Sequence, residues 1–154
     1  MLGGLKLKKI KMTLSDVWKL KGPLENFLKL PIPIDVSWKF GKIAKKVLDE
    51  WEGIEGERKR TVKRFLEPEE DSFEHVPVRD RSGNLLPDQE LIKANKINED
   101  KDRRRDAFKV EFTNLLETEH TEFRFEPINL SDPRIKDMLF SSSNMIILHN
   151  FFEE

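Results

Sequence analysis

A mostly helical α+β fold is predicted for this chain: a long antiparallel helical hairpin with a small β-sheet and short C-terminal helices. Three observations predict it. Apolar residues recur at helical spacing through two long stretches, about 35–66 and about 90–119. The period then changes between Phe108 and Leu130. Phe108, Phe112, Leu115 and Leu116 step by three or four, whereas Phe123 and Phe125 alternate with Glu122, Arg124 and Glu126, as in a strand with one buried face. The N-terminal stretch alternates as well, so the sheet is expected to pair an N-terminal strand with a strand near 121–130.

Each element has its own signal. Leu5 and Leu7, then Ile10 and Met12, are alternating pairs whose parity slips at Lys8 and Lys9, which predicts a strand with a bulge or bend there. Thr13, with Asp16 three residues on, reads as a helix N-terminus carrying Leu14, Val17 and Trp18 on one face. Gly22 and Pro23 are expected to break that helix. Leu24, Phe27 and Leu28 form another short helical turn, and Pro31 and Pro33 force an extended link. Asp35 is the expected N-cap of the longest helix, whose stripe runs Val36, Phe40, Ile43, Val47, Trp51, Ile54 and on to Val62 and Phe65. Gly53 and Gly56 weaken its middle by about 1 kcal/mol each relative to alanine, and would let a second helix come close.

From Glu67 to Asp88 the pattern dissolves into prolines and acids, with a turn at Arg81 to Asn84, so a mobile loop about 67–88 is expected within a single domain, 1–154. Helix resumes between Gln89 and Glu99. Its first half is almost wholly polar, and is expected to project into water or to pack on a partner. Beyond Pro127 the parity shifts. Asp132 with Pro133 starts a short helix through Ile135, Met138 and Leu139, which Ser141 to Asn144 interrupt, and a last apolar segment from Met145 docks on the core. In the expected sheet Lys6 and Lys8 face Glu122 and Glu126 across the strand pair.

The composition narrows the function classes. Asp, Glu, Lys and Arg make up 37% of the 154 residues, yet the net charge is −1. That balance argues against a bulk nucleic-acid binder and against a disordered acidic tail. Residues 1–50 hold 11 Lys against 5 acids, and the remainder 17 basic against 24 acidic groups, so the two parts carry about +6 and −7. The absence of cysteine excludes disulfides, thiolate metal sites and cysteine nucleophiles. No apolar run approaches the roughly 18 residues of a membrane span, so no membrane association is expected.

The candidate chemistry is sparse. Glu117 and His120 have the carboxylate–imidazole spacing of di-iron bundles, but such a site needs two of these motifs and two further glutamates. Ser141 to Asn144 has no histidine and acid in a recognisable relation to it. No catalytic residue, cofactor or metal is expected. Trp18, Trp38 and Trp51 read as core or core-edge residues, with Trp38 and Trp51 as interface candidates because tryptophan is enriched at binding hot spots. Arg58, Arg60, Arg64, Arg103, Arg104 and Arg105 lie on the two hairpin arms. They read as a basic grip for phosphates or as exposed helix laced with acids three and four residues away.

Taken together, these segments resemble an uncharacterised family of short proteins of tailed bacteriophages and prophages. The matching features are the lysine-rich alternating start, Thr13 with Leu14, and Lys29, Leu30 and Pro31 before a long amphipathic helix. They continue with Gly83 and Asn84 in a charged loop, then Phe112, Leu115, Leu116, Glu117 and Glu119 running into an acidic strand that closes Glu126, Pro127, Ile128, Asn129, Leu130. The chain then ends in Phe151, Phe152, Glu153 and Glu154. The resemblance implies a small phage protein without defined catalytic residues, a virion component or assembly factor. The expected function is non-enzymatic protein–protein contact with virion proteins or a second copy, in the virion or the cytoplasm of the infected host cell. The alternatives are an early phage protein that inhibits a host transcription or defence factor and, with less support, a nucleic-acid-binding protein.

Overall fold

A computed structural model describes residues 7–129 and 151–153. Its elements run β1 (Lys8–Thr13), α1 (Leu14–Leu28), α2 (Ile34–Phe65), α3 (Asp88–Thr118), β2 (His120–Phe125), β3 (Ile128–Asn129) and β4 (Phe152–Glu153). The fold is mostly helical α+β, as predicted. It divides into two compact units, one of Met1–Glu55 with Leu115–Glu154 and one of Gly56–Asn114. The expected short C-terminal helices and Ser141 to Asn144 lie outside the described residues.

In the first unit β1 and β2 pair antiparallel, Lys8 opposite Phe125 through to Thr13 opposite His120. Residues directly opposite share a face, so Ile10 and Met12 join Phe123 and Phe125 on the inner side. Lys9, Lys11, Glu122 and Arg124 take the other. The register is one-to-one from Lys8 onward, so no bulge separates Lys8 from Lys9. Lysine–glutamate pairing across the sheet is present with different partners from those expected. Lys9 meets Glu122 at 3.5 Å, and Glu126 is taken by Lys39 of α2 at 3.0 Å. Lys8 stands opposite Phe125, and Lys6 lies outside the described residues.

Thr13 ends β1 and caps α1: its hydroxyl accepts from the Asp16 N–H at 3.1 Å. Leu14, whose N–H no helical carbonyl can reach, donates instead to the Glu119 carbonyl at 3.0 Å. Gly22 and Pro23 do not break α1. An interior proline forfeits one helical hydrogen bond and costs about 3 kcal/mol. The buried set Val17, Leu20, Leu24 and Phe27 steps straight past it, however, and seating that stripe outweighs the loss. Asp35 is not the cap of α2. The helix opens at Ile34 with Ser37 N–H bonded to the Pro33 carbonyl, which puts Asp35 in the first turn, where a carboxylate still complements the helix dipole.

The predicted stripe of α2 is buried from Val36 through Phe40, Ile43 and Val47 to Ile54. Phe40 packs on Phe27, ring centroids 4.2 Å apart. Gly53 admits no close neighbour, since a Cβ built there meets nothing within 4 Å. Parallel pairing of β3 with β4 brings in Phe151, fully buried and edge-on to Phe125 at 5.2 Å.

In the second unit the end of α2 and α3 run in opposite directions. Arg104 donates to the Phe65 carbonyl at 2.8 Å, while Arg64 reaches Glu111 one helical stretch further on. The loop between them turns at Asp80 to Asn84. The Asp80 carboxylate accepts from the N–H groups of Ser82 and Asn84, and Gly83 takes φ +85°, a conformation closed to most side chains.

The first half of α3 departs from expectation. Ala94, Asn98 and Lys101 are buried at 4–3 spacing, in line with Phe108. The chain's own loop covers them. Asn98 binds Val76, and Lys101 donates to the Glu74 carbonyl at 2.8 Å. Hydrogen bonds to loop backbone make this polar stripe compatible with burial.

Candidate functional site

Ile34 and Trp38 stand one turn apart on α2, 88% and 70% exposed. Lys42 follows on the same face, its ammonium 5.3 Å from the Trp38 ring centroid. Beside this face lies a groove of about 410 Å³, where Lys39, Lys42, Lys45 and Lys46 surround Leu7 and Phe125. Lys39 is paired with Glu126, and Lys46 donates to the Arg124 carbonyl, a neutral group that leaves its charge in place.

The other interface candidate among the tryptophans, Trp51, sits differently. It stacks on Trp18 at 5.1 Å with the planes 11° apart, and the Lys21 ammonium lies 3.7 Å from its ring centroid. That indole is thereby engaged within its own unit.

The structure separates the six arginines rather than gathering them into one grip. Arg60 is held by Glu57 at 2.6 Å, Arg64 by Glu111, and Arg103 by Asp100 at 3.3 Å. Arg104 is largely enclosed. It binds Glu70 at 2.7 Å, Asp100 at 3.0 Å and the Phe65 carbonyl, so it fastens the loop to both helices. Hydrogen bonding from Arg104, aided by Lys101, holds the Glu70 carboxyl at about 2, far below its ordinary value of 4.5. The same contact raises the already high Arg104 value.

Arg58 and Arg105 share a recess of about 560 Å³ in the second unit, lined also by Lys59, Lys63, Phe73 and Phe108. The two phenylalanine rings lie 6.1 Å apart. Arg105 is ion-paired to Asp102 at 3.2 Å and to Asp106 at 3.5 Å. Its Nε is a buried donor with no acceptor among the described residues.

Sequence reasoning missed the groups that hold the loop: Glu70, His75, Asn98, Lys101 and Asp102. His75 Nε2 lies 2.7 Å from Asp102 Oδ1, and this contact is the first cause of a lowered Asp102 carboxyl value. A signal was available in the spacing of Ala94, Asn98, Lys101 and Phe108, which is helical and one-sided once polar residues are admitted to a buried stripe. The carboxylate–imidazole pair of Glu117 and His120 does not form on one helix, because α3 ends at Thr118 and His120 begins β2. No cluster of three metal-ligating side chains lies among the described residues. No helix among them is long and apolar enough to cross a membrane. Comparison with protein-family models, curated proteins and solved structures finds no match.

Proposed function

We propose that this chain is a non-enzymatic protein of a tailed bacteriophage that works by contact with another protein, as a structural or assembly component of the particle. The contact reading rests on one observation: Ile34 and Trp38 present adjacent apolar side chains to water on a rigid helix. Such a pair is a natural anchor. An aromatic side chain offers on the order of 200 Å² for burial, and apolar burial returns about 25 cal/mol per Å², so docking both residues is worth on the order of 5 kcal/mol before the costs of association. Helical placement limits the entropy lost on binding. Support for a phage origin comes from the resemblance carried by the segments from Thr13 to Leu130. In this reading the protein works in the virion or the cytoplasm of the infected cell, and its partner is a virion protein or a second copy.

The test is affinity capture from infected-cell lysate with the unaltered chain and with an Ile34→Ser/Trp38→Ala variant. Recovery of head or tail proteins by the former and not the latter is expected. Recovery of a single host enzyme instead would favour inhibition of a host factor, and equal recovery by both forms would reject this face as the anchor.

A further inference from the structure

The second unit carries a recess of its own. We infer that the recess bordered by Lys59, Lys63 and Arg105 binds an acidic polypeptide segment that carries an apolar anchor side chain.

The lining sets the chemistry. Four cationic side chains, Arg58, Lys59, Lys63 and Arg105, meet only two acids there, Glu70 and Asp71. Glu70 is already engaged by Arg104 and Lys101, and Arg105 by Asp102 and Asp106, so the positive charge the recess has to offer is that of Lys59 and Lys63. Lys59 and Lys63 are exposed and make no ion pair among the described residues. Arg105 lines the same recess, its guanidinium paired with Asp102 and Asp106 and its Nε a buried donor without an acceptor among the described residues.

Beneath these charges the lining is apolar, with Phe73 and Phe108 as its aromatic part. A free inorganic anion would leave that surface wet, whereas a leucine or phenylalanine next to a glutamate matches floor and rim together. A nucleic acid fits less well. A phosphate chain needs a continuous basic track, and Arg60, Arg64 and Arg103 are each tied to an acid of this chain.

The experiment is amide chemical-shift mapping on the isotope-labelled full chain. The probes are a short capped peptide alternating phenylalanine and glutamate, its glutamine analogue, and a short single-stranded DNA. The acidic peptide is expected to shift the amides of Lys59, Lys63, Arg105 and Phe108 saturably, with a dissociation constant on the order of 0.1–1 mM. The glutamine analogue, and a Lys59→Ala/Lys63→Ala variant whose lysines are surface-exposed, are each expected to bind roughly tenfold more weakly. Trp38→Ala is expected to leave binding unchanged, which keeps this result separate from the outcome at α2. Absence of saturable shifts, equal binding of the glutamine analogue, or tighter binding of the DNA would overturn the assignment.

Discussion

Asn98 grips Val76 by both of its backbone groups: the side-chain oxygen accepts from the Val76 N–H at 2.8 Å, and the side-chain amide donates to the Val76 carbonyl at 3.1 Å. This two-point contact, 22 residues apart in sequence, is what lets a polar side chain occupy a buried position on α3. Truncation by Asn98→Ala leaves both groups without partners in a partly buried place, at an expected cost of about 2–3 kcal/mol. Urea denaturation measures the loss, and hydrogen exchange at the Val76 amide should accelerate in step with it. A change below about 0.5 kcal/mol would mean that the loop is not held here.

Glu70 sets the acid limit of the second unit. Its folded value of about 2 lies below its ordinary 4.5, so the carboxylate contributes stability that is whole above pH 4.5 and is lost as pH falls through about 2. With allowance for screening, the contribution is on the order of 2 kcal/mol. Asp102, lowered by His75, shifts in the same direction. A Glu70→Gln variant should be less stable than the unaltered chain at pH 7 and should converge with it near pH 2. Urea midpoints measured across that window test this, and a constant gap would refute it.

Removal of Arg104 should cost more than removal of any other arginine of the cluster. Arg104→Met leaves Glu70 largely enclosed with Lys101 and the Glu67 N–H as its remaining partners, at an expected cost of about 2–4 kcal/mol. Arg60→Met and Arg103→Met break exposed pairs worth less than about 1 kcal/mol. Thermal unfolding of the three variants ranks them.

Trp38 and Trp51 should separate cleanly on substitution. Trp51→Ala removes a stacked indole and is expected to cost about 2–4 kcal/mol, with a change in intrinsic fluorescence as Trp18 loses its neighbour. Trp38→Ala, at 70% exposure, is expected to lie within about 0.5 kcal/mol of the unaltered chain. Denaturation curves for both test whether Trp38, unlike Trp51, contributes little to the fold.

Helix interiors offer room for improvement. Gly53→Ala places its methyl in open space and should stabilise α2 by about 0.5–1 kcal/mol. Pro23→Ala restores a donor to the middle of α1 and should raise stability by about 1–2 kcal/mol, net of the freedom regained by the unfolded chain. Thermal midpoints above that of the unaltered chain are the expected readout.

Much of this fold was legible because local signals and burial agreed. Thr13 caps α1, the α2 stripe lies inward, the period switch after Leu116 marks the passage into β2, and Gly83 sits at the turn. Two of the misreadings share one cause: tertiary contacts overrode a local rule. Pro23 reads as a breaker until Val17, Leu20, Leu24 and Phe27 share one buried face. The polar half of α3 reads as exposed until loop carbonyls appear as partners for Asn98 and Lys101. Charge matching had the same weakness. The opposite signs along the chain were visible, but the choice of Lys9 for Glu122 and Lys39 for Glu126 depends on a register that charge alone does not set. The arginines were visible as a group, yet which of them meet acids depends on how the loop folds back.

The seat of the loop on α3 has a consequence for how this protein can vary. Asn98, Lys101 and Arg104 each hold main-chain atoms, those of Val76, Glu74 and Phe65. Peptide groups are common to every amino acid, so the identities of Val76 and Glu74 can drift while the anchorage persists. Asn98 and Lys101 thus act as fixed moorings for a loop whose lettering is free to change, and novelty can accumulate there without loosening the scaffold.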